Sequence, residues 1–450
     1  MMSNDQPLAV LILAAGKGTR MKSKTPKVLH KIAGLPMIQH VLNVAEELEA
    51  DKIITVIGPD MDAVREAVSP HECVIQEQQS GTADAVKSAL PVLSGFKGSV
   101  LVLYADVPLS SAQGLQMLIE HHESSDFGAT IMMMVPPDPT GYGRIVQNED
   151  GTLKHIVEQA DANEAEQQIR LVNSGIMIID GAKLTDWISQ IESKNAQGEY
   201  YLTDLPKVIQ ADGGTCGVVR GHYLELRGVN SRAQLAELEI FAQNLLRHDA
   251  MDRGVTFLDP SSAYLSWDTK IGKDVTVGQN VVFGPGVQID DDVEIHAFSH
   301  IEGAHIQSGA SVGPFARIRP KSVIEENASV GNFIEVNRST MKSGSKAKHV
   351  SYVGDAVIGS GSNIGAGTVI ANYDGFNKNH TSIGDGVFIG SNSTLIAPVN
   401  IGDNAIVAGG SVIAKDVKDN SIAIERNEQR AIEGGAIKYR DRKSKTKKAS

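Results

Sequence analysis

The stretch that decides the fold is IGKDVTVGQNVVFGPGVQIDDDVEI, residues 271–295. An aliphatic or aromatic side chain falls on every sixth position, at Ile271, Val277, Phe283, Ile289 and Ile295, and Gly272 and Gly278 follow the first two. The series continues at Ile301, slips by one residue, and resumes at Ile306, Val312, Ile318, Ile324, Val330 and Val336. It is met again at Tyr352, Ile358, Ile364 and Ile370, then at Ile383, Ile389, Leu395, Ile401, Val407 and Ile413. A period of six fits neither a helix, at about 3.6, nor an alternating strand, at about 2. It is the signature of a parallel β-helix, in which each repeat turns one side chain inward and a small residue rounds the corner. The period breaks at Asn337–Lys348 and at Asn372–Ser382. Both breaks predict loops that project outward, where sites are commonly built.

Upstream the grammar differs. Leu8–Leu13, Lys52–Ile57 and Ser99–Tyr104 read as buried strands, and Leu35–Glu49 and Ala83–Leu93 carry helical patterns. Such alternation predicts an α/β unit with a mainly parallel sheet covered on both faces, whose ligands bind beyond the carboxyl ends of the strands. Ser231–Asp252 reads as one long helix, opened by a Ser231/Gln234 capping box and striped by Leu235, Leu238, Phe241, Leu245 and Leu246.

Composition narrows the function classes. In 450 residues, 42 Lys and Arg face 54 Asp and Glu, a net charge of -12, which argues against a dedicated nucleic-acid binder. Cys73 and Cys216 are too few for a disulfide scaffold or a cysteine zinc site, as expected of a reducing cytosol. The N-terminus lacks a basic signal-peptide start, and Leu8–Leu13 is too short to cross a bilayer, so a cytoplasmic protein without a membrane partner is expected. Residues 438–450 carry seven basic side chains against Asp441 and read as a solvated, disordered tail.

Leu13-Ala14-Ala15-Gly16-Lys17-Gly18-Thr19-Arg20-Met21 follows the first strand. Its Gly-x-Gly lacks the third glycine of a dinucleotide fingerprint and by itself reads as a tight turn. Lys17, Arg20 and Lys27 add three cations beside backbone N–H groups at a strand end, a combination suited to a triphosphate. Asp106, just past Ser99–Tyr104, suits either a helix cap or Mg²⁺ among phosphates.

These residues, followed in order by Gln76, Gly81-Thr82, Tyr104-Ala105-Asp106, Gly141-Tyr142-Gly143-Arg144 and Asn173-Ser174-Gly175, resemble the signature of sugar-1-phosphate nucleotidylyltransferases. With the hexapeptide half, the resemblance narrows to the bacterial bifunctional N-acetylglucosamine-1-phosphate uridylyltransferase / glucosamine-1-phosphate N-acetyltransferase family, over roughly residues 8–435. It implies a Rossmann-like uridylyltransferase domain over 1–230, a linking helix over 231–254, a left-handed β-helix acetyltransferase domain over 255–437 and the tail over 438–450. It implies two reactions: acetyl transfer from acetyl-CoA to glucosamine-1-phosphate, then UMP transfer from UTP to N-acetylglucosamine-1-phosphate, in a cytoplasmic homotrimer that feeds cell-envelope synthesis.

By the same resemblance, Asp106 and Asn230 hold Mg²⁺, and Arg20 and Lys27 stabilise the transferring phosphates. Leu13, Ala14, Ala15, Gly16, Gln76, Gly81, Thr82 and Ala105 belong to the nucleotide site, and Tyr104, Gly143, Glu158 and Asn173 to the sugar site. His349, in a segment reading Lys-His where the family has Gly-His, is the expected general base, since histidine as a class titrates near neutrality. Arg319 and the position of Asn337 would grip the sugar phosphate, with Tyr352 and Asn363 orienting the sugar. Ala366, Asn372, Tyr373, Ser391, Gly409 and Arg426 match acetyl-CoA contacts. Asn337 departs from the family, which has Lys there, and Gly409 stands where Ala is common. Arg338 replaces the missing cation only if the chain turns it, because strand neighbours face opposite ways. Weakened sugar-phosphate binding is the expectation. A single-activity nucleotidylyltransferase with a structural or regulatory β-helix is the alternative.

Overall fold

The computed structural model describes residues 6–195 and 197–448. It divides into two compact units, residues 1–246 and 247–450. The expected linking helix is present as Arg232–Asp252, with the division inside its last two turns.

The first unit is built on strands β1 (Leu8–Leu13), β2 (Lys52–Ile57), β3 (Glu72–Ile75), β4 (Ser99–Tyr104), β5 (Phe127–Met134), β6 (Arg144–Gln147), β7 (Leu153–Val157), β8 (Val172–Asp180) and β9 (Thr215–Arg220). Their order is β9-β5-β8-β4-β1-β2-β3, with β6 joined to β8 and β7. The pairs β1–β2, β1–β4, β2–β3 and β9–β5 are parallel. β8 runs against both β4 and β5, because the chain reaches it through the β6–β7 hairpin and not through a crossover helix. β1 shows why the strand sequences are continuously apolar. Ala9, Leu11 and Leu13 enter the core on one face of the sheet and Leu8, Val10 and Ile12 that on the other, so no position can be polar. Leu11 and Ile12 are fully buried, each worth about 1.5–3 kcal/mol of transfer energy. The helix expected over Ala83–Leu93 covers Thr82–Ala89.

The second unit is a three-faced β-helix of short parallel strands. The first and second faces form one 16-stranded sheet, because Ser329–Asn337 and Lys346–Gly354 run unbroken around the corner between them. The third face is a separate 8-stranded sheet. The hexapeptide positions point inward: Val277, Ile301, Ile318, Ile358 and Ile389 are fully buried. Two expectations need correction. Asn337–Lys348 is not an outward loop, since Met341 and Ala347 fill inward positions and the coil is as long as the one above it, Ile324 pairing with Met341 and Met341 with Ile358. Tyr352 is not inward either: Val353 pairs with Val336 and is buried, and Tyr352 faces outward beside Glu335. The break at Asn372–Ser382 is a genuine outward loop, with Tyr373 and Phe376 exposed.

The corner between first and second faces repeats one backbone conformation. Phe298, Phe315, Phe333, Val350, Gly367, Asn392 and Gly410 all have positive φ, and they succeed one another on consecutive coils. Phe298, Phe315 and Phe333 stack outside the corner at centroid spacings of 4.9 and 5.0 Å. The tail expected to be disordered is helical over Gly435–Lys448, where Lys and Arg, good helix formers, follow Gly434 and Gly435 without a further breaker. No helix among the described residues is long and apolar enough to cross a membrane.

Candidate active sites

In the first unit a cleft of about 910 Å³ opens at the carboxyl ends of β1 and β4. Leu13, Ala14, Ala15, Gly16, Lys17 and Lys27 line one side, with Gln76, Gly81 and Thr82 beside them and Tyr104, Asp106, Gly143, Glu158 and Asn173 across from them. The structure therefore gathers most of the expected site. Three residues lie off its lining. Ala105 is fully buried and bonds through its backbone N–H to the Leu13 carbonyl. Arg20 is exposed on the turn Thr19–Met21, and Asn230 reaches the site only through Lys27.

The Lys27 ammonium is bonded to Asp106 Oδ2 and donates to Asn230 Oδ1 at 3.2 Å. Both expected metal ligands thus aim oxygen at one cation. Among the described residues no group of three or more His, Cys, Asp or Glu could hold a metal. One carboxylate and one carboxamide oxygen are the small protein share suited to Mg²⁺, which takes its other ligands from phosphates and water. Asp106 does not cap the next helix; Ser111 does, accepting from Gly114 N.

Opposite, the expected sugar side is tightly built. Gly175 has φ +92, and a Cβ there would lie 2.8 Å from the Tyr104 ring, so only glycine lets the ring lie against the strand. Burial pushes the Tyr104 phenol well above its usual range, and the Asp106 charge adds to this, so it remains a hydrogen-bond donor. Burial also pushes the Glu158 carboxyl up, opposed by the bond it accepts from Thr203 Oγ1 at 2.9 Å. Thr203 and Gln79, whose amide donates to the Ala15 carbonyl at 2.6 Å, join the lining without any motif having marked them.

In the second unit the corner between first and second faces collects most of the residues expected to serve acetyl transfer. His349, Ala366, Ser391 and Gly409 each immediately precede a positive-φ corner residue on successive coils. Their stacking is fixed by Gly367 N to Val350 O, Asn392 N to Ala366 O and Gly410 N to Ser391 O, all at 2.7–2.8 Å. Arg426 returns to the same corner and donates to the Gly409 carbonyl at 2.8 Å. His349 is exposed, and its Nδ1 lies 2.9 Å from Asn332 Oδ1. With that carboxamide oxygen as acceptor, Nδ1 carries the proton and Nε2 keeps its lone pair toward solvent.

On the second face, Arg319 donates to Glu335 Oε1 at 2.9 Å, and Tyr352 stands one coil above Glu335. Asn337 lies one coil above Arg319 and is buried. Asn363 is not on this face: it pairs with Lys346 on the first, around the corner from Tyr352. Asn372, at the base of the outward loop, donates to Asp355, and Tyr373 is exposed in the loop itself. Glu335, Asn332 and Asp355, the partners of Arg319, His349 and Asn372, carry no sequence signal of their own.

A nucleotide-sized cleft over a Rossmann-like sheet in one unit, and a hexapeptide β-helix with a histidine at its corner in the other, define a two-part transferase. Residues 10–168 match the MobA-like NTP transferase domain. In the second half, residues 268–303 match the bacterial transferase hexapeptide, 300–395 the GMPPB C-terminal domain and 380–415 the hexapeptide repeat of succinyl-transferase. The chain is 48% identical over 434 residues, 96% of each chain, to the bifunctional protein GlmU of Paramagnetospirillum magneticum. It is 45% identical over 447 residues, 99% of each, to that of Sphingopyxis alaskensis. The value for Zymomonas mobilis is 44% over 450 residues, 99% of this chain and 100% of the relative. The chain belongs to the bifunctional GlmU family, and it is an enzyme with uridylyltransferase and acetyltransferase activities.

Proposed function

We propose that the first cleft takes UTP and N-acetylglucosamine-1-phosphate, and that the β-helix corner takes acetyl-CoA and glucosamine-1-phosphate, in the cytoplasm. The observation that carries the first assignment is the Lys27 ammonium held between Asp106 and Asn230 at the end of the phosphate loop. UTP lies along Leu13–Gly16, with its base toward Gln76, Gly81 and Thr82, and Arg20 meets the phosphates from the exposed side. A phosphate oxygen of the sugar phosphate attacks the α-phosphorus in line, the bond to the bridging oxygen breaks, and pyrophosphate leaves. Lys27 and Arg20 stabilise the charge that develops, so the protein's part is positioning and electrostatics. Asp106 and Asn230 would hold Mg²⁺, which would supply further neutralisation of the phosphates. Tyr104 and Glu158 bond the sugar hydroxyls while Gly143 and Asn173 shape the floor.

At the corner, His349 Nε2 takes a proton from the glucosamine nitrogen as that nitrogen attacks the acetyl carbonyl carbon, and the CoA thiolate leaves. The sugar lies along the second face, from His349 past Tyr352 to Arg319, with Asn363 reaching in from the first face. Acetyl-CoA follows the corner upward along Ala366, Ser391 and Gly409 to Arg426, with Asn372 and Tyr373 beside it. Phe388, Ile406 and Ile422 form an exposed apolar column on the first face, and this supports assembly with further copies, as a homotrimer.

Lys27→Met and His349→Ala in the full chain separate the two sites. The first is expected to lower Mg²⁺-dependent pyrophosphate release roughly 10²–10³-fold and to leave CoA thiol release intact. The second is expected to do the reverse. If either variant lowers both activities equally, the assignment of two separate sites is wrong. Sedimentation at micromolar concentration should report three chains per particle.

A further inference from the structure

We propose that Arg338 supplies the second cation of the sugar-phosphate subsite, opposite Arg319, although its neighbour Asn337 has no charge. The proposal rests on the placement of glucosamine-1-phosphate along the second face given above. Side chains of consecutive strand residues point to opposite sides, so Arg338 would ordinarily be turned away from the side that Asn337 occupies. Here the strand ends at Asn337, and Arg338 takes a left-handed backbone conformation, φ +49. Such a conformation costs a side-chain-bearing residue free energy and persists where its surroundings hold it. It recurs at this corner on the coils below and above, at Lys321 and Asp355, so it belongs to the corner itself, and the side chain's own bonds then fix where the guanidinium lies. Nε and Nη2 of Arg338 donate to the two carboxylate oxygens of Asp355 at 2.6 and 2.7 Å, and Nη1 donates to Asn337 Oδ1 at 3.1 Å. Asn372 donates to the same carboxylate from the coil above.

Three of the five guanidinium N–H groups are therefore occupied. The remaining two are one on Nη1 and one on Nη2, the pairing that suits two oxygens of one phosphate. The side chain is 30% exposed, so these groups can meet a ligand. Arg319 leaves its strand one coil below, with its backbone N–H bonded to the Val336 carbonyl, so the two arginines follow the ends of adjacent strands of the second face. Asn337 thus has a role in this chain that a lysine could not fill: its carboxamide oxygen accepts a bond and helps to fix the guanidinium plane. Because Asp355 balances the Arg338 charge, the subsite recognises phosphate by the geometry of its donors more than by net charge.

The test measures acetyl-CoA-dependent thiol release by the full chain with glucosamine-1-phosphate and, separately, with glucosamine lacking the phosphate. Arg338→Met is expected to raise KM for glucosamine-1-phosphate roughly 10–100-fold, with KM for acetyl-CoA and kcat/KM for glucosamine within about twofold of the wild type. Adding Asn337→Lys to Arg338→Met is expected to restore most of the loss. Should Arg338→Met fail to fold, Arg338→Lys keeps a charge beside Asp355 but lacks the two-pronged edge, and a KM increase confined to the phosphorylated sugar is again expected. An unchanged KM, or equal losses on both sugars, would overturn the proposal, the latter by showing that Arg338 only braces Asp355 and Asn372. If the wild-type chain releases no thiol in response to glucosamine-1-phosphate, the acetyl-transfer reading itself falls, and the proposal with it.

Discussion

Gly331→Ala should separate the two activities by a purely steric route. A Cβ at Gly331 would lie 2.0 Å from the Lys348 carbonyl oxygen and 2.7 Å from Lys348 Cα, both on the coil above. Backbone cannot swing aside as a side-chain end can, so restoring an ordinary contact requires the two coils to part locally by about 1 Å, against a usual strand spacing of about 4.8 Å. Overpacking of this kind costs about 1–3 kcal/mol. The functional cost follows from position. Asn332 and His349 are the next residues on those same two coils, and their 2.9 Å bond would open to about 4 Å, beyond hydrogen-bonding range. Misplacement by about 1 Å is worth roughly 10²-fold in rate. The assay is paired: thiol release from acetyl-CoA and pyrophosphate release from UTP, on one preparation, with a thermal melt. The expected outcome is acetyl transfer down roughly 10²-fold with uridylyl transfer unchanged. Acetyl transfer within about threefold of the wild type would refute the idea that coil spacing positions His349.

Three further outcomes are expected. Glu158 has its carboxyl raised by burial, so its stabilising contribution is complete below the ordinary glutamate value and is lost as pH rises through the raised one; the affinity for N-acetylglucosamine-1-phosphate should strengthen over that same window as the carboxylate forms, and Glu158→Gln should flatten the profile of KM against pH. Asp355 is held below the usual carboxylate range, chiefly by the Arg338 hydrogen bonds, so its contribution is present above the ordinary aspartate value and lost as pH falls through the depressed one; Asp355→Asn should melt below the wild type near neutral pH, and the gap should close in strong acid. Burial raises the Cys216 thiol to about 12 and also raises Cys73, so a disulfide reagent should label the native chain slowly and the urea-unfolded chain at once.

The β-helix was legible because its physics is local and repetitive: one inward apolar side chain per six residues, stated some twenty times over. It became illegible where the period met chemistry. The step between the inward residues Val353 and Ile358 is one short of the period, which puts Val353 inward where Tyr352 was sought, and Met341 and Ala347 are buried without being the β-branched residues the pattern leads one to seek. In the first unit the phosphate loop and its cations could be read from spacing. The meeting of Lys27 with Asn230 across 203 residues of chain could not, since it is created by the sheet. Arg338 was unreadable for a third reason. Strand alternation would turn its side chain away, and only the reversal of φ that this corner repeats, together with the bonds to Asp355 on the coil above, brings it back.

The repeated corner has a consequence for the length of what it can hold. A solenoid grows in whole coils, so the distances between His349, Ala366, Ser391 and Gly409 come in fixed steps of about 4.8 Å, and the three steps span about 14 Å. On the proposed placement of acetyl-CoA, the corner is a ruler graduated in coils, with the reactive carbonyl at zero. A thioester carrier is measured against it from the acyl end, and one cut short by a third loses the topmost mark without disturbing the lowest. Truncated carriers such as acetyl-pantetheine should accordingly still present their carbonyl to His349, but surrender in binding whatever Gly409 and Arg426 contribute.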